Sequence, residues 1–431
     1  MAAEDTVCRP LLSAHELMED PYGGFGRVRE EAPVVKGLWN GHPTWFITRY
    51  DDVTAVLMDR RFATSSTSLP GGTDEYAEVM AQMGIDRDLI PYLAGSLVYT
   101  DPPDHTRLRK LVLRAFSARR ISALRPRVEA LVDELLDALP GHAADGTVDL
   151  VEHFASPLPI TVICEMVGVP VADREQWRAW SLDYTSMDAR RLNTMLSEIS
   201  AYIRGLVGQR RTAPADDLIT GLMLARDEDN DRLTETELVT MVLTLVVAAN
   251  ETTPALIASG VWALLTHPGQ LAMVREDPGL LPDAVQELLR WCGPAIVAKL
   301  RYATEDVVIG DTLIRQGDHV QVVPGAANHD PRRFPRPDEL DITRDPEADR
   351  APHLGYSRGA HYCLGAGLAN QETEVAFARL FERFPDLALA VPEDRLKWKP
   401  MPATRQLASL PVVLGPAARL RKTSARAGER R

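Results

Sequence analysis

The sequence predicts a mostly α-helical fold with small β-sheets, that is, an α+β protein. Three observations support this prediction. Apolar residues recur at helical spacing along much of the chain. The stretch from Thr234 to His267 is apolar on all sides in its middle, which predicts a long helix through the core. Short strand-like runs occur near residues 34–48, 301–310, 320–323 and 407–413.

Length, charge and cysteine content narrow the class of protein. By length alone, 431 residues would form two or three domains with an ample core. The net charge of −13 argues against a general affinity for nucleic acid or anionic membranes. The four cysteines lie far apart without a disulfide framework, which suits a reducing cytoplasm. The N-terminus lacks an apolar export or membrane-spanning segment, and residues 419–431 are expected to form a basic, disordered tail.

Local signals predict the elements before the long helix. In order, they indicate a helix at 11–31, antiparallel strands at 34–35 and 45–48 joined through Asn40-Gly41, a helix at 51–58, an irregular segment at 63–97 with a weak helix at 76–83, a helix at 100–116, and amphipathic helices at 121–139, 148–169 and, in two parts, 174–211. Asp51 is the expected N-cap of its helix, and Asp101 with two prolines is expected to begin the helix at 100–116. An irregular segment as long as 63–97 in a compact protein is often functional.

His105 and Arg109 lie four residues apart in the helix at 100–116 and therefore share one face. Together they could bind an anion, or they could belong to a solvated charged face.

The long helix has clear ends and an unusual centre. A Thr-x-x-Glu capping box begins it at Thr234, and His267-Pro268 ends it. Polar residues interrupt its apolar middle, and Pro254 cannot donate a hydrogen bond to the preceding turn. We expect a kink or opening there, beside the carboxyl of Glu251 and the hydroxyl of Thr252.

A single cysteine near the C-terminus lies between a glycine-rich loop and an amphipathic helix. Cys363 is therefore expected at or just before a helix N-terminus, where backbone N–H groups and the helix dipole favour a thiolate. Zinc would require more ligands than His361 and Cys363 offer, and nothing identifies the base of a nucleophilic cysteine. A buried core cysteine and an axial thiolate ligand of haem iron remain open. The small loop residues would let its backbone approach a flat ligand closely.

This stretch resembles the haem-binding loop of the cytochrome P-450 family, which follows the pattern Phe-Gly-x-Gly-x-His-x-Cys-x-Gly. His361 and Cys363 stand at the matching positions. Three positions depart from the family pattern: Tyr356 replaces Phe, Ser357 replaces Gly, and Asn370 replaces an Arg that is common in the following helix. None of these departures removes a ligand.

The resemblance implies the roles of individual residues. Cys363 would be the iron ligand, and the haem propionates would be bound by His105, Arg109, Arg301 and His361. In the long helix, Glu251 and Thr252 would deliver protons to dioxygen, while Ala249 replaces the usual Gly. Candidate substrate contacts are Thr244, Val247, Ala248, Ile296 and Val297, with Met187, Leu192 and Met195 beside a lid at 188–193, although ordinary core is an equal alternative for these last three. A structural triad would comprise Glu287, Arg290 and Arg344.

The resemblance covers residues 11 to 415 and implies the cytochrome P-450 fold over a single domain, 1–418. The domain would have a β-rich N-terminal part, with haem b (iron protoporphyrin IX) between the long helix and the cysteine-bearing helix. The implied activity is that of a haem-thiolate monooxygenase, which hydroxylates or epoxidises an organic substrate with dioxygen. Electrons would come from NAD(P)H through a reductase and a ferredoxin. We expect a cytoplasmic monomer that binds neither nucleic acid nor membrane.

Two features of the implied enzyme stay open at this stage. A basic cluster could be a docking surface for the ferredoxin or a solvated helix; it comprises Arg107, Lys110, Arg114, Arg119 and Arg120. The pocket segments are apolar and offer no obvious counter-ion, so we expect an apolar natural product such as a polyketide, macrolide or terpenoid. A haem-thiolate peroxygenase and a non-catalytic haem sensor are the alternatives, and neither needs the Glu251–Thr252 pair.

Overall fold

A computed structural model describes residues 10–186, 188–226, 231–344, 352–401 and 403–415. Its α-helices are α1 Ala14–Glu19, α2 Pro21–Glu31, α3 Tyr50–Met58, α4 Glu75–Gln82, α5 Pro91–Ala94, α6 Asp104–Ala115, α7 Ala118–Ala123, α8 Arg125–His142, α9 Pro157–Val167, α10 Arg174–Thr185, α11 Ala189–Thr212, α12 Leu218–Leu224, α13 Glu235–Thr266, α14 Pro268–Glu276, α15 Leu281–Cys292, α16 Pro324–Ala327 and α17 Ala366–Arg383. The predicted tail at 419–431 and Met187 lie outside the described residues.

The strands are short and form small sheets. They are β1 Val34–Trp39, β2 His42–Ile47, β3 Phe62–Ala63, β4 Thr147–Asp149, β5 Arg301–Ala303, β6 Val307–Ile309, β7 Thr312–Ile314, β8 His319–Val322, β9 Ala388–Leu389 and β10 Pro411–Val413. The largest sheet has the order β1-β2-β8-β5-β3, with β2 and β8 parallel. Because this sheet joins strands from both halves of the chain, the two halves share one folded unit.

The N-terminal hairpin forms as predicted, because its turn residues suit the required backbone. Asn40 and Gly41 both have positive φ, +49° and +83°, which is the geometry of a two-residue turn between antiparallel strands. The predicted helix at 11–31 is instead two helices. Pro21 begins the second, and the Asp20 side chain caps it by accepting a hydrogen bond from the Gly23 N–H.

Two expected helix starts differ in the structure. Asp51 lies inside the first turn of α3, where its carboxylate pairs with Arg333 at 2.5 Å, and Arg49 occupies the N-cap without a side-chain hydrogen bond. The two prolines after Asp101 precede α6 rather than opening it. The Asp101 carboxylate is used elsewhere, since it accepts hydrogen bonds from the backbone N–H groups of Thr64 and Ser65 at 2.9–3.0 Å.

The predicted helix at 148–169 begins as a strand. Residues 147–149 form β4, which pairs with β10, and the helical turns follow at Val151–Ala155 and in α9. Pairing with a strand more than 250 residues away outweighs the local helical pattern. The predicted helix at 121–139 also starts later, since residues before Leu124 belong to the separate helix α7.

The long helix α13 has the predicted ends and forms the centre of the core. Thr234 and Glu237 form both hydrogen bonds of the capping box, and His267 is the C-cap. Among the described residues, α13 is the helix with the length and apolar composition of a membrane span, and 61% of its most apolar 18-residue window is buried inside the protein. Gly260 has no side chain, which lets Phe377 of α17 pack directly against the helix backbone.

Candidate active site

Cys363 lies on the loop that leads into α17, three residues before the helix begins, as predicted. Its own N–H donates to the Tyr356 carbonyl at 2.9 Å, which closes the loop. The N–H groups of Gly365 and Ala366 and the nearby Arg109 guanidinium lower the pKa of the thiol, but burial has the larger effect and leaves that pKa raised. A metal cation at the sulfur would reverse this balance, because a coordinating thiol loses its proton.

The loop backbone is fixed by the protein around it. Gly359 has φ +73°, and a Cβ there would lie 2.6 Å from the Leu57 carbonyl oxygen. The close approach at this glycine is therefore to α3, whereas the sequence led us to expect an approach to a flat ligand. Ser357 also adopts a left-handed conformation, with φ +60°, where an L side chain is strained.

Four predicted anion-binding side chains converge beside this loop. His105 and Arg109 come from α6, Arg301 from β5, and His361 from the turn before Cys363. The rings of His105 and His361 lie 4.2 Å apart. Burial, together with the neighbouring His105 and Arg301, lowers the pKa of His361 to about 3. The cluster therefore gathers cationic groups in an enclosed space.

Two polar atoms of this cluster are buried and have no hydrogen-bond partner among the described residues. They are Nε2 of His105 and Nε of Arg301. Arg301 satisfies one guanidinium nitrogen by donating from Nη1 to the Phe62 carbonyl at 3.0 Å, and Arg109 donates from Nη2 to the Tyr362 carbonyl at 2.7 Å. Buried polar atoms are nearly always paired, so these orphaned groups fit anionic partners such as carboxylates.

The middle of α13 faces an internal space. Ala248 and Thr252 are exposed although the turns on either side are buried, so only a cavity within the core can reach them. The Thr252 hydroxyl donates to the Ala248 carbonyl at 3.1 Å. An exposed hydroxyl in the centre of a core helix is the arrangement that the sequence predicts for an opening beside Glu251.

Glu251 reaches towards the turn that precedes β10. Its Oε1 accepts a hydrogen bond from Gln406 Nε2 at 3.2 Å and from the Thr404 hydroxyl at 3.5 Å. Gln406 in turn accepts from the exposed Lys399 at 3.4 Å. Burial raises the pKa of Glu251, and these partners oppose the shift. The Thr404 N–H donates to the Met401 carbonyl at 3.2 Å, and no signal in the sequence connects Thr404 or Gln406 to Glu251.

The predicted substrate contacts occupy different environments. Val247 is partly accessible, Ala248 is exposed, and the Thr244 hydroxyl donates to Ser96 Oγ at 3.0 Å. Ile296 and Val297 are buried in an apolar cluster that also contains Leu12, Phe25, Phe46, Val323 and Ala326. Leu192 and Met195 lie on α11 within the main core, and residues 189–193 of the expected lid are helical. Contact with substrate stays a prediction for all of them.

Lys299 is a candidate that sequence reasoning missed. Its Nζ lies 3.2 Å from the centre of the Tyr99 ring and 5.1 Å from that of Tyr76. A lone lysine beside an Arg-x-Ala strand gives no sequence signal, because its two aromatic neighbours come from residues 200 positions away or more.

The basic cluster around α6 is largely paired. Arg107 forms ion pairs with Asp231 and Glu237, and Arg120 forms one with Asp216 at 2.5 Å. Arg114 donates to the Arg226 carbonyl. Acidic side chains before α12, before α13 and in the first turn of α13 thus neutralise part of the positive charge, and the exposed Lys110 and Arg119 complete the cluster.

The predicted structural triad is present. Arg290 Nε contacts Glu287 at 2.7 Å and Arg344 Nε contacts the same carboxylate at 3.2 Å, with Glu287 and Arg290 both buried. Arg290 also donates to the carbonyls of Asn328 and Pro337 at 2.9 and 2.7 Å. Charges that are paired and hydrogen-bonded in this way can be buried, and the triad fixes the segment that leads to the cysteine loop.

Comparisons with known proteins show which family of chains this one is similar to. The family model described as cytochrome P-450 matches residues 177–404. The 6-deoxyerythronolide B hydroxylase of Saccharopolyspora erythraea is 40% identical over 94% of this chain and 98% of its own length. The monooxygenase PikC of Streptomyces venezuelae is 42% identical over 94% and 95%. The structure of PksS, described as the bacillaene polyketide synthase cytochrome P-450 of Bacillus subtilis 168, superposes with a TM-score of 0.84 at 36% identity, covering 94% of this chain and 99% of that one.

Proposed function

This chain belongs to the cytochrome P-450 family and is a monooxygenase, and from that premise we propose that it hydroxylates or epoxidises a polyketide or macrolide metabolite. The names of the similar proteins support this substrate class, since one acts on 6-deoxyerythronolide B and another belongs to a polyketide synthase. The accessible Val247 and Ala248, on the apolar part of α13, support an apolar substrate beside this helix.

We propose that haem b binds at Cys363. When bound, its iron activates dioxygen. The observation that carries this assignment is the pair of buried, unpartnered nitrogens of His105 and Arg301 beside the cysteine loop. These atoms, with Arg109 and His361, would bind the two propionates, while the N–H groups of Gly365 and Ala366 would stabilise the Cys363 thiolate.

Glu251 and Thr252 would control protons. The raised pKa of Glu251 favours its protonated form, so the carboxyl can donate to the cavity. Thr404 and Gln406 hold this carboxyl on the side of the exposed Lys399, from which solvent can replace the proton. Thr252 would present its hydroxyl to the cavity once it turns from the Ala248 carbonyl. A peroxygenase would not need Glu251 and Thr252 to deliver protons, because peroxide already carries them. This pair therefore supports a monooxygenase.

We propose a cytoplasmic, single-domain monomer that receives electrons from NAD(P)H through a reductase and a ferredoxin. The dependence of the family on redox partners supports the route. The exposed Lys110 and Arg119 support docking on the face formed by α6 and α7, since they, like Arg114, form no ion pair with an acidic residue in the described part of the chain.

The carbon monoxide spectrum of the reduced protein tests the haem assignment. We expect a strongly red-shifted Soret band in the wild type, its loss in Cys363→His, and its retention in Cys292→Ser, a matched change at a buried cysteine on α15. An imidazole-type band in the wild type would overturn thiolate ligation. Product formation is then compared with NADPH, ferredoxin and reductase and with peroxide alone. A monooxygenase forms product under the first condition and a peroxygenase under the second. A haem sensor forms no product under either.

A further inference from the structure

Lys299 carries a charge that is only partly accessible and that the proposed chemistry does not use. Its ammonium group lies over Tyr99, whose ring stacks on Tyr76 with 3.9 Å between centroids. Within the described part of the chain, no carboxylate forms an ion pair with Lys299 and no acceptor forms a hydrogen bond with its Nζ. Three donors on one ammonium group are therefore held near aromatic faces alone.

Aromatic faces compensate such a charge only partly. A cation–π contact offsets only part of the cost of removing an ammonium ion from water. The effect is visible in the pKa of Lys299, which burial alone lowers to about 7. An anion that enters this space would find a cation whose ion-pairing and hydrogen-bonding capacity is unfilled.

The segments that carry Lys299 and Tyr99 both contact α13 or its partners. Ala295 pairs with Thr404, whose hydroxyl donates to Glu251 at 3.5 Å. Ser96, three residues before Tyr99, accepts a hydrogen bond from Thr244 of α13 at 3.0 Å. Lys299 is also two residues from Arg301, the buried guanidinium assigned above to a propionate.

We propose that Lys299, seated on the Tyr76–Tyr99 stack, is the binding site for a carboxylate inside the haem and substrate cavity, an inference that rests on the proposed function. A carboxylate matches the single positive charge and can accept two of the three ammonium hydrogens. Two molecules could supply it: an organic substrate with an acidic end, or the haem through one propionate. The enzyme would thus take an acidic substrate, or hold its haem with one more cation.

Matched ligands distinguish these sources. We would titrate the haem-loaded enzyme with dodecanoic acid and with methyl dodecanoate, following heat by calorimetry and the Soret band in parallel. If the substrate supplies the carboxylate, the wild type prefers the acid, and Lys299→Met weakens binding of the acid by about tenfold or more while changing that of the ester less than about threefold. Lys299→Arg keeps the preference, and Lys397→Met, at an exposed lysine, is the control.

If the haem supplies the carboxylate, acid and ester bind alike in the wild type, and Lys299→Met releases haem to apomyoglobin about tenfold faster or more. Lys299→Gln gives a second neutral variant should the methionine variant misfold. The inference is overturned if folded neutral variants keep both the wild-type ligand preference and the wild-type haem loss. A wild type without the thiolate carbon monoxide band would instead contradict the proposed function, while the calorimetric comparison of acid and ester would still test Lys299.

Discussion

The Tyr356 hydroxyl donates a hydrogen bond to Asn370 Oδ1 at 2.6 Å. Both residues depart from the family pattern, one in the cysteine loop and one in α17, and the two departures meet in space. The Tyr356 carbonyl also accepts from the Cys363 N–H, so this contact fixes the loop on both sides of the cysteine. The hydrogen bond between the two therefore joins the cysteine loop to α17.

A double-mutant cycle tests this relationship. We expect Tyr356→Phe and Asn370→Ala each to lower the free energy of unfolding of the haem-loaded protein, with a coupling energy of about 0.5–1.5 kcal/mol between them. Urea unfolding, followed through the Soret band and far-ultraviolet dichroism, measures it. Tyr362→Phe, in the same loop but with an exposed ring, is the control. Strictly additive effects would show that the two residues act independently.

Ser357 makes a second prediction about the same loop. Its φ of +60° strains an L residue, whereas Gly adopts this conformation freely. Ser357→Gly should therefore raise stability by about 0.5–1 kcal/mol, after part of the relief is lost to the greater freedom of glycine in the unfolded chain. Ser357→Ala keeps the strain and should not stabilise. If thermal unfolding shows equal stability for both variants, left-handed strain is not important at this position.

Arg301 should control haem retention. Its Nε is buried and unpartnered, and a propionate would pair with it. Hydrogen bonds to charged groups contribute about 1.5–3 kcal/mol, so Arg301→Met should release haem to apomyoglobin roughly tenfold to a hundredfold faster. Arg315→Ala, at an exposed arginine in the following hairpin, should leave the rate unchanged. Equal haem loss in Arg301→Met and wild type would contradict the assignment.

Features with local causes were predictable. The ends of α13 follow from the capping box at Thr234 and from Pro268, and the hairpin turn follows from Asn40-Gly41. These signals act within a few residues, so the sequence displays them directly. The position of Cys363 before α17 was predictable for the same reason.

Features that depend on distant partners could not be predicted from the sequence. The contact of Gln406 with Glu251 joins residues 155 positions apart, and the parallel pairing of β2 with β8 spans a longer separation. The ion pairs of Asp216, Asp231 and Glu237 with the basic cluster could not be predicted, because these acidic residues fold back onto it from later in the chain. Lys299 was missed because the sequence does not show which acidic residues surround a given lysine. The fold determines whether a lysine has an acidic partner.

Gln406 should tune the pKa of Glu251. Its amide stabilises the carboxylate, so Gln406→Leu removes an effect that lowers the pKa and should move that pKa further upward. In Gln406→Leu, the limb of the pH–rate profile that belongs to Glu251 should then shift to higher pH. Glu251→Gln should abolish this limb and reduce kcat by about a hundredfold. Gln371→Leu, at a buried glutamine that contacts Ile121 instead, is the control. A profile unchanged by Gln406→Leu would argue that Glu251 acts without this partner.

Glu372 should make stability depend on pH. This carboxyl lies on α17, is 2% exposed, and has its pKa raised by burial from 4.5 to about 8. The folded state therefore binds its proton more tightly than the unfolded state does, and stability from this group is present below pH 4.5 and is lost as pH rises to about 8. At about 1.4 kcal/mol per pH unit, the loss approaches roughly 5 kcal/mol at the upper limit. Glu372→Gln cannot ionise and should not suffer this loss.

Urea unfolding of the haem-loaded protein between pH 5 and pH 8.5 measures the effect. We expect the difference in unfolding free energy between Glu372→Gln and wild type to move steadily in favour of the variant as pH rises, whatever its value at pH 5. Glu382→Gln, at an exposed position on the same helix, should show no such trend. A difference that stays constant across this range would mean that Glu372 does not change its proton binding on folding. It would then require a partner for the buried charge, because an ionised carboxylate without one could not remain in this core.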